Sequence, residues 1–340
     1  MSKTTSPTLE DVARLAGVST ASISRVLNEP GKVAEKTRQR IEEAIDTLGY
    51  TPNFGGRALA SSRTNTVGAI VPSIANAMFS SSLQAFQEAL AEEGVTLLVA
   101  TTGFDPVQEL QQIKSLIGQG ADGLLLIGNE RPETTWEFID KRRVPNVVTW
   151  IDSARKGHLC VGFDNEKAAH DATRRAMDLG HRRIAVITGI IQGNDRAKAR
   201  FKGIVDAVSQ YGNGARITRV VEVPYLLDEG GAALDQIMQQ EETPTVVMCG
   251  NDALAAGAMV KARELGLSLP HDLSFVGFDD IGLARVVFPP LSTVRVPQVK
   301  LGRASAKLLL DVIAGKSDLH SMSFETEFIQ RSSLVAPLEA

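Results

Sequence analysis

The sequence predicts an α/β protein, with a small helical head followed by two α/β lobes built on parallel sheets. Three observations carry this. Residues 8–48 show three short amphipathic helical patterns separated by turns. Residues 67–278 alternate short apolar runs with amphipathic stretches, and that βαβ grammar puts helices on the faces of parallel sheets. Between them, residues 52–65 are rich in Gly and Ser, a linker too weakly helical to fold unaided.

Each element has a local cause. Thr8 can cap a first helix over 9–16, with Asp11 reaching back to close a capping box. Leu9, Val12, Leu15 and Ala16 share its apolar face. Gly17-Val18-Ser19 is a tight turn in which Gly supplies backbone freedom and Ser19 caps the next helix, 20–27. The run from Asn28 to Gly31 stops that helix. A third helix over 34–48 carries Ile41, Ala44, Ile45 and Leu48 on one stripe, with Ala34 where a polar cap would serve better. Strands are expected at 67–71, 95–101, 123–127, 146–150, 159–163, 183–188, 218–223, 245–249 and 273–278. Helices are expected between most of them, at 79–93, 105–118, 165–179, 195–211, 229–240 and 253–265. Nine strands are many for one open sheet, and two lobes dividing near Asp164 with a cleft between them are the economical arrangement.

Composition bounds the function. The chain has 340 residues, 43% apolar and 22% charged, enough for two or three domains. Two cysteines, Cys160 and Cys249, exclude a disulfide framework and fit a reducing compartment. No apolar run reaches the ~18 residues of a membrane span, and residues 1–7 lack the apolar segment of an export signal, so a cytoplasmic protein without membrane partners is expected. The net charge is -4, yet residues 1–65 hold nine Lys/Arg against seven Asp/Glu. A mildly basic head points to an anionic partner there.

A helix, a Gly-containing turn and a second helix form a helix-turn-helix. On the second helix, Ile23, Val26 and Leu27 can pack inward while Thr20, Ala21, Ser24 and Arg25 face away. Short side chains let a helix sit deep in a major groove, and Arg can bond guanine through two N–H groups. Ser19, Ser22 and the helix start suit phosphates. The competing reading is a plain three-helix bundle with a polar face.

The run Leu9-Glu10-Asp11-Val12-Ala13, then Ala16-Gly17-Val18-Ser19 and Ser22-Ile23-Ser24-Arg25-Val26-Leu27-Asn28, resembles the head of the lactose-repressor (LacI/GalR) family of bacterial transcription regulators. The likeness continues through Thr37-Arg38, Leu48-Gly49-Tyr50-Thr51-Pro52-Asn53 and Arg63-Thr64. Later landmarks match in order, including Gly180-His181, Asn251-Asp252-Ala253 and Gly277-Phe278-Asp279-Asp280, so it spans essentially the whole chain. The resemblance implies a DNA-binding head over 1–51, a hinge helix over 52–65 and a two-lobed core resembling periplasmic binding proteins over 66–340. Lobe 1 would comprise about 66–163 and 295–325, and lobe 2 about 164–294 and 326–340. It implies a homodimer on a near-palindromic operator in double-stranded DNA, with Thr20, Ala21 and Arg25 reading bases, Asn53 at the DNA and Leu59 as a minor-groove wedge. Gly55-Gly56 depart from a good hinge helix, each costing roughly 1 kcal/mol against Ala, so the hinge should fold only on DNA.

In the core, ligands of such sheets gather at the carboxyl ends of strands. Ser73, Phe79, Trp150, Asp164, Asn251 and Asp279 lie at or just beyond strand ends, and Arg200 on a neighbouring helix. Asp and Asn bind vicinal hydroxyls, Arg grips oxygens, and an aromatic stacks on a ring. Arg200, Asn251 and Asp279 match family effector positions. Val161-Gly162-Phe163-Asp164-Asn165 and Asn194-Asp195-Arg196-Ala197 resemble the gluconate-repressor branch, which favours a sugar or sugar acid as the small-molecule effector over a purine. Val296-Pro297 departs from sugar-binding members. Asp252 and Asp280 serve as well for helix capping, Trp150 for the core, His181 for packing.

No nucleotide-binding glycine loop, nucleophile elbow or HExxH motif occurs, and the five histidines show no metal-ligand spacing. Neither an enzyme nor a cofactor or metal is expected. The remaining alternatives are an exported binding protein, which would lack the head, and a regulator controlled by a partner protein.

Overall fold

The computed structural model describes residues 7–28, 30–51 and 63–338. The chain forms two compact units, Met1–Thr64 and Asn65–Ala340.

In the first unit, α1 (Leu9–Ala16) opens on a capping box in which the Asp11 amide donates to Thr8 Oγ1 and the Thr8 amide to Asp11 Oδ2. Gly17 ends α1 at φ 61, the left-handed conformation that a side chain disfavours. α2 (Thr20–Asn28) and α3 (Glu35–Leu48) follow, with a 3₁₀ turn at Pro30–Lys32. Ala34 precedes α3 without a side-chain cap, as its residue type dictates. Val12, Ala16, Ile23, Val26, Ile41, Ala44 and Tyr50 close the small core. Leu15, expected on that face, is 52% exposed instead; a helix this short offers its neighbours a stripe too narrow to take it.

The second unit holds two six-stranded sheets. The first lobe contains β1 (Thr66–Val71), α4 (Ala77–Glu92), β2 (Thr96–Thr101), α5 (Pro106–Gly118), β3 (Gly123–Ile127), α6 (Glu133–Arg142), β4 (Asn146–Thr149) and β5 (Leu159–Gly162). The second contains α7 (Asn165–Asp178), β6 (Arg183–Gly189), α8 (Asp195–Tyr211), β7 (Arg216–Val223), α9 (Leu227–Met238), β8 (Val246–Cys249), α10 (Asp252–Glu264), β9 (Ser274–Asp279), α11 (Leu283–Val286) and β10 (Ser292–Arg295). The chain then returns through α12 (Gln298–Ile313) and β11 (Met322–Ser323) to the first lobe and ends with β12 (Glu327–Ile329) in the second. The sheet orders are β11-β5-β4-β3-β1-β2 and β12-β10-β9-β8-β6-β7, parallel except for β10 with β12.

This is the expected α/β class, and the parallel strands are the short continuous apolar runs of the sequence, buried because helices cover both faces. Two strands lay outside the expectation, β11 and β12, while β10 falls on the Thr293-Val294-Arg295 strand that the family likeness implies. β11 and β12 have two and three residues, too few to carry a periodic signal. Their effect is large, because the chain crosses between lobes three times, after β5, after β10 and between β11 and β12.

Candidate functional site

On the head, Ser19, Thr20, Ala21 and Arg25 are exposed and Ser22 and Ser24 half-buried, whereas Ile23 and Val26 from the same helix are buried. The 3.6-residue period makes that division: one flank of α2 packs on α1 and α3, the other is left for a partner. Ser19 Oγ and Ser22 Oγ lie 3.0 Å apart, tying the turn to the start of α2. Asn53 and Leu59 lie outside the described residues.

In the body, the strand ends of the two lobes meet at a ladder of aromatic rings. Phe79 packs edge-on to Trp150 at 5.1 Å, Trp150 to Phe163 at 6.1 Å, and Phe163 stacks on Phe278 at 6.2 Å. The ladder thus runs from α4 of one lobe to β9 of the other. The Arg200 guanidinium lies 3.8 Å from the centre of the Phe278 ring, a contact strengthened by exclusion of water.

Arg200 is buried, and its charge is held by a short relay. Nε donates to Asn165 Oδ1 at 2.9 Å and Nη1 to the Gly250 carbonyl at 2.7 Å. Asn165 in turn donates to the Trp150 carbonyl at 2.9 Å, and Trp150 itself sits at φ 71, just past β4. Arg200 Nη2 and Asp279 Oδ1 are 3.6 Å apart, and each is buried without a hydrogen-bond partner among the described residues. Burial pushes the Asp279 carboxyl up to about 7, against the opposing pull of Arg200.

The other expected residues take several places. Asn251 is buried and caps α10 through a 2.9 Å bond from the Leu254 amide. Ser73 is half-buried, and its Oγ accepts from the Ala75 amide. Phe79 and Trp150 are core rings, 3% and 1% exposed. Asp164 caps α7, accepting from the Lys167 amide at 2.8 Å, and faces a separate groove with Lys167 and Phe328; capping geometry turns its carboxylate along its own helix. Asp252 accepts from Thr293 Oγ1 and the Ile281 amide, and Asp280 from Arg295 and Arg331. Both are braces. His181 binds Thr245 Oγ1 and the Val335 carbonyl, and its burial lowers its pKa to about 4.

A cavity of 430 Å³ opens between the lobes, lined by Pro72, Thr102, Phe104, Asp105, Pro106, Glu109, Ile127, Glu130, Arg131 and Pro132 from one and Ile190, Gln192, Gly193 and Arg196 from the other. Arg196 lies one helical turn before Arg200 on α8, which brings the two onto one face. Beside these residues in the chain the lobes touch: the Asn129 amide donates to Asp195, and Gly128, at φ 70, approaches so closely that a Cβ would meet Asp195 and Arg196. Of these residues Arg196 had a sequence signal, standing four before Arg200, and Phe278 stood beside Asp279. Phe104, Glu109, Arg131 and Gln192 had none, since three loops and a helix bring them together. Tyr225 likewise comes from a loop after β7; its ring occupies the space a Cβ at Gly189 would fill, and burial raises its phenol pKa.

Comparison with known proteins joins these two sites to one lineage. Residues 8–53 match the model of bacterial regulatory proteins, lacI family, and residues 173–334 that of the periplasmic binding protein-like domain. Catabolite control protein A of Priestia megaterium is 32% identical over 302 residues, 89% of this chain and 91% of that one. The HTH-type transcriptional repressor PurR of Vibrio atlanticus is 32% identical over 333 residues, 96% and 98% of the two chains. The crystal structure of a LacI family transcriptional regulator from Silicibacter pomeroyi superposes with a TM-score of 0.88 at 25% identity, covering 97% and 99%. With an exposed recognition flank on a helix-turn-helix and a cleft between two parallel-sheet lobes, the chain belongs to the lacI family of bacterial regulatory proteins, the DNA-binding transcriptional repressors.

Proposed function

We propose that the chain is a cytoplasmic repressor, not an enzyme, whose grip on a near-palindromic operator is set by a small polyhydroxylated effector, a sugar or sugar acid, in the cleft between its lobes. The observation that carries this is the facing ion pair Arg200 Nη2 and Asp279 Oδ1, buried, 3.6 Å apart and each without a hydrogen bond among the described residues. An unmet donor beside an unmet acceptor is costly to keep. A hydroxyl meets both, donating to Asp279 Oδ1 and accepting from the guanidinium.

In this reading Thr20, Ala21, Ser24 and Arg25 read bases, Ser19, Ser22 and Asn53 hold the backbone, and Leu59 wedges the minor groove. Arg200, Asn251 and Asp279 form the effector centre, and the Phe79–Trp150 ladder shapes it. Ser73 and Asp164 stand at its margin. The repressor works as a homodimer, since two heads on a two-fold axis match a two-fold site. Val286 and Phe288, 77% and 73% exposed, supply apolar surface of the kind that marks an interface. No helix among the described residues is long and apolar enough to cross a membrane.

The test is thermal unfolding of the chain against sugars, sugar acids, sugar phosphates and purine nucleosides. At ~100 times the dissociation constant a ligand adds about 2.7 kcal/mol, and the midpoint should rise by several degrees with a sugar-type compound and not in the Asp279→Asn variant. A purine-only response refutes the effector class. A shift retained in the variant refutes the assigned centre.

A further inference from the structure

The turn that ends β9 is held in an unusual way. Asp279 and Asp280 both have positive φ, 107 and 52, and the first value lies outside the small left-handed basin that an Asp tolerates. Such a backbone persists only where its surroundings over-determine it. Here they do so from several sides. The Asp279 carbonyl accepts from Gln298 Nε2 at 3.1 Å. The Asp280 carboxylate takes Arg295 Nε at 2.7 Å and Arg331 Nη2 at 2.6 Å. The Ile281 amide donates to Asp252 Oδ2 at 2.8 Å.

The partners of this turn stand where the chain crosses between the lobes. Arg295 is the last residue of β10, just before the second crossing, and Gln298 opens α12 on its far side. Glu327 is the first residue of β12, just after the third crossing. The strand register sets Arg295 between Asp279 on one side and Glu327 on the other, and Arg295 Nη1 donates to Glu327 Oε2 at 3.0 Å. One guanidinium thus ties the Asp279–Asp280 turn to the start of one crossing and the end of another.

Burial divides the cluster into a fixed part and a releasable part. The side chains of Asp280 and Arg331 are 6% and 14% exposed, and Arg331 Nη1 also donates to the Leu291 carbonyl at 2.7 Å. A nearly buried carboxylate between two guanidiniums makes strong, charge-assisted bonds, so the network is anchored, unlike an isolated surface pair. Arg295 and Glu327, by contrast, are 48% and 66% exposed. They face an open groove of 570 Å³ together with Asp279, Asp280 and Gln298, within reach of solvent ions.

We propose that Asp280, Arg295, Arg331 and Glu327 form an ionic latch on the interlobe hinge. While it is closed, the turn bearing Asp279 and the second and third crossings are held as one unit. When Arg295 lets go, all three loosen together. Arg295 is then a positioning residue for Asp279, acting through Asp280. The latch rests on the effector reading only in the use that reading gives Asp279.

The test is hydrogen–deuterium exchange of the full chain, followed on peptides spanning residues 279–281, 296–298 and 324–327. In Arg295→Gln all three should exchange ~10-fold faster or more, the equivalent of losing a hydrogen bond to a charged group, while peptides from β3 and β8 keep their protection. Arg295→Lys, which retains the charge, should restore part of the protection. Raising NaCl from about 0.1 M to about 1 M should loosen the same segments in the unaltered chain, because the exposed pair is screened, and change little in Arg295→Gln. Should Arg295→Gln not fold, Glu327→Gln at the exposed end is expected to give the same pattern. Protection unchanged in the three segments, or lost in one of them alone, overturns the latch. A rise shared equally by β3 and β8 overturns it as well, since Arg295 would then only stabilise the fold. None of these outcomes bears on the effector class, which the thermal shifts of the unaltered chain and of Asp279→Asn decide.

Discussion

Arg25 and Asp279 show how much one side chain can carry. Arg25 is the long cationic side chain on the exposed flank of α2, among Thr20, Ala21 and Ser24. Arg25→Ala is expected to relax preference at one base pair per half-site by ~1–3 kcal/mol, read by competition binding with operators varied at single positions. A uniform loss across all sequences would make it a phosphate contact instead. Asp279 is held at about 7, above the ordinary 3.8, because it is buried. Its protonated form is therefore the one the fold favours. That contribution is fully present below pH 3.8 and is lost as pH rises through about 7. Asp279→Asn should flatten the dependence of Tm on pH across this window, and an unchanged slope would assign the dependence to other groups.

Among the elements, the β3–α6 connection and the start of α8 form the tightest meeting of the lobes. Gly128 is there because its φ of 70 and its closeness to Asp195 and Arg196 leave no room for a Cβ. Gly128→Ala should cost about 1–3 kcal/mol in urea unfolding and should weaken effector binding, since the Asn129–Asp195 contact would be pushed apart. Unfolding alone would be affected if the contact merely stabilises the fold. The relay Trp150–Asn165–Arg200 belongs to the same scale. Asn165 stood in the sequence beside Asp164 as a polar residue at the end of the fifth strand. Its role follows from the crossover after β5, which sets it between the carbonyl of one lobe and the guanidinium of the other.

For the molecule as a whole, the two sites lie in separate compact units, Met1–Thr64 and Asn65–Ala340. An effector acts by binding one arrangement of the lobes better than another. Phe288→Glu, on the exposed apolar surface beside α11, should shift the chain from dimer to monomer in sedimentation and lower operator affinity, while leaving effector affinity within a factor of about two. A dimer unaffected by this change would place the interface on another face.

The head, the class of the lobes and the order of most strands were legible in the linear sequence, because each rests on local physics: Thr8 and Asp11 cap, Gly17 turns, and uninterrupted apolar runs such as Leu124–Leu126 can be stable only between two layers of helix. Arg200 and Asp279 could be singled out because strand ends and the neighbouring helix converge in any such fold. What decided the remainder was the crossing of the chain between lobes. It carried Trp150 and Phe79 inward as core rings, turned Asp164 to its own helix, and assembled Phe104, Glu109, Arg131 and Arg196 around one cavity. Phe104 and Arg131 stand on two connections and Glu109 and Arg196 on two helices, and their proximity follows from the packing of sheets and helices, a long-range balance of buried area and paired charge that no local pattern encodes.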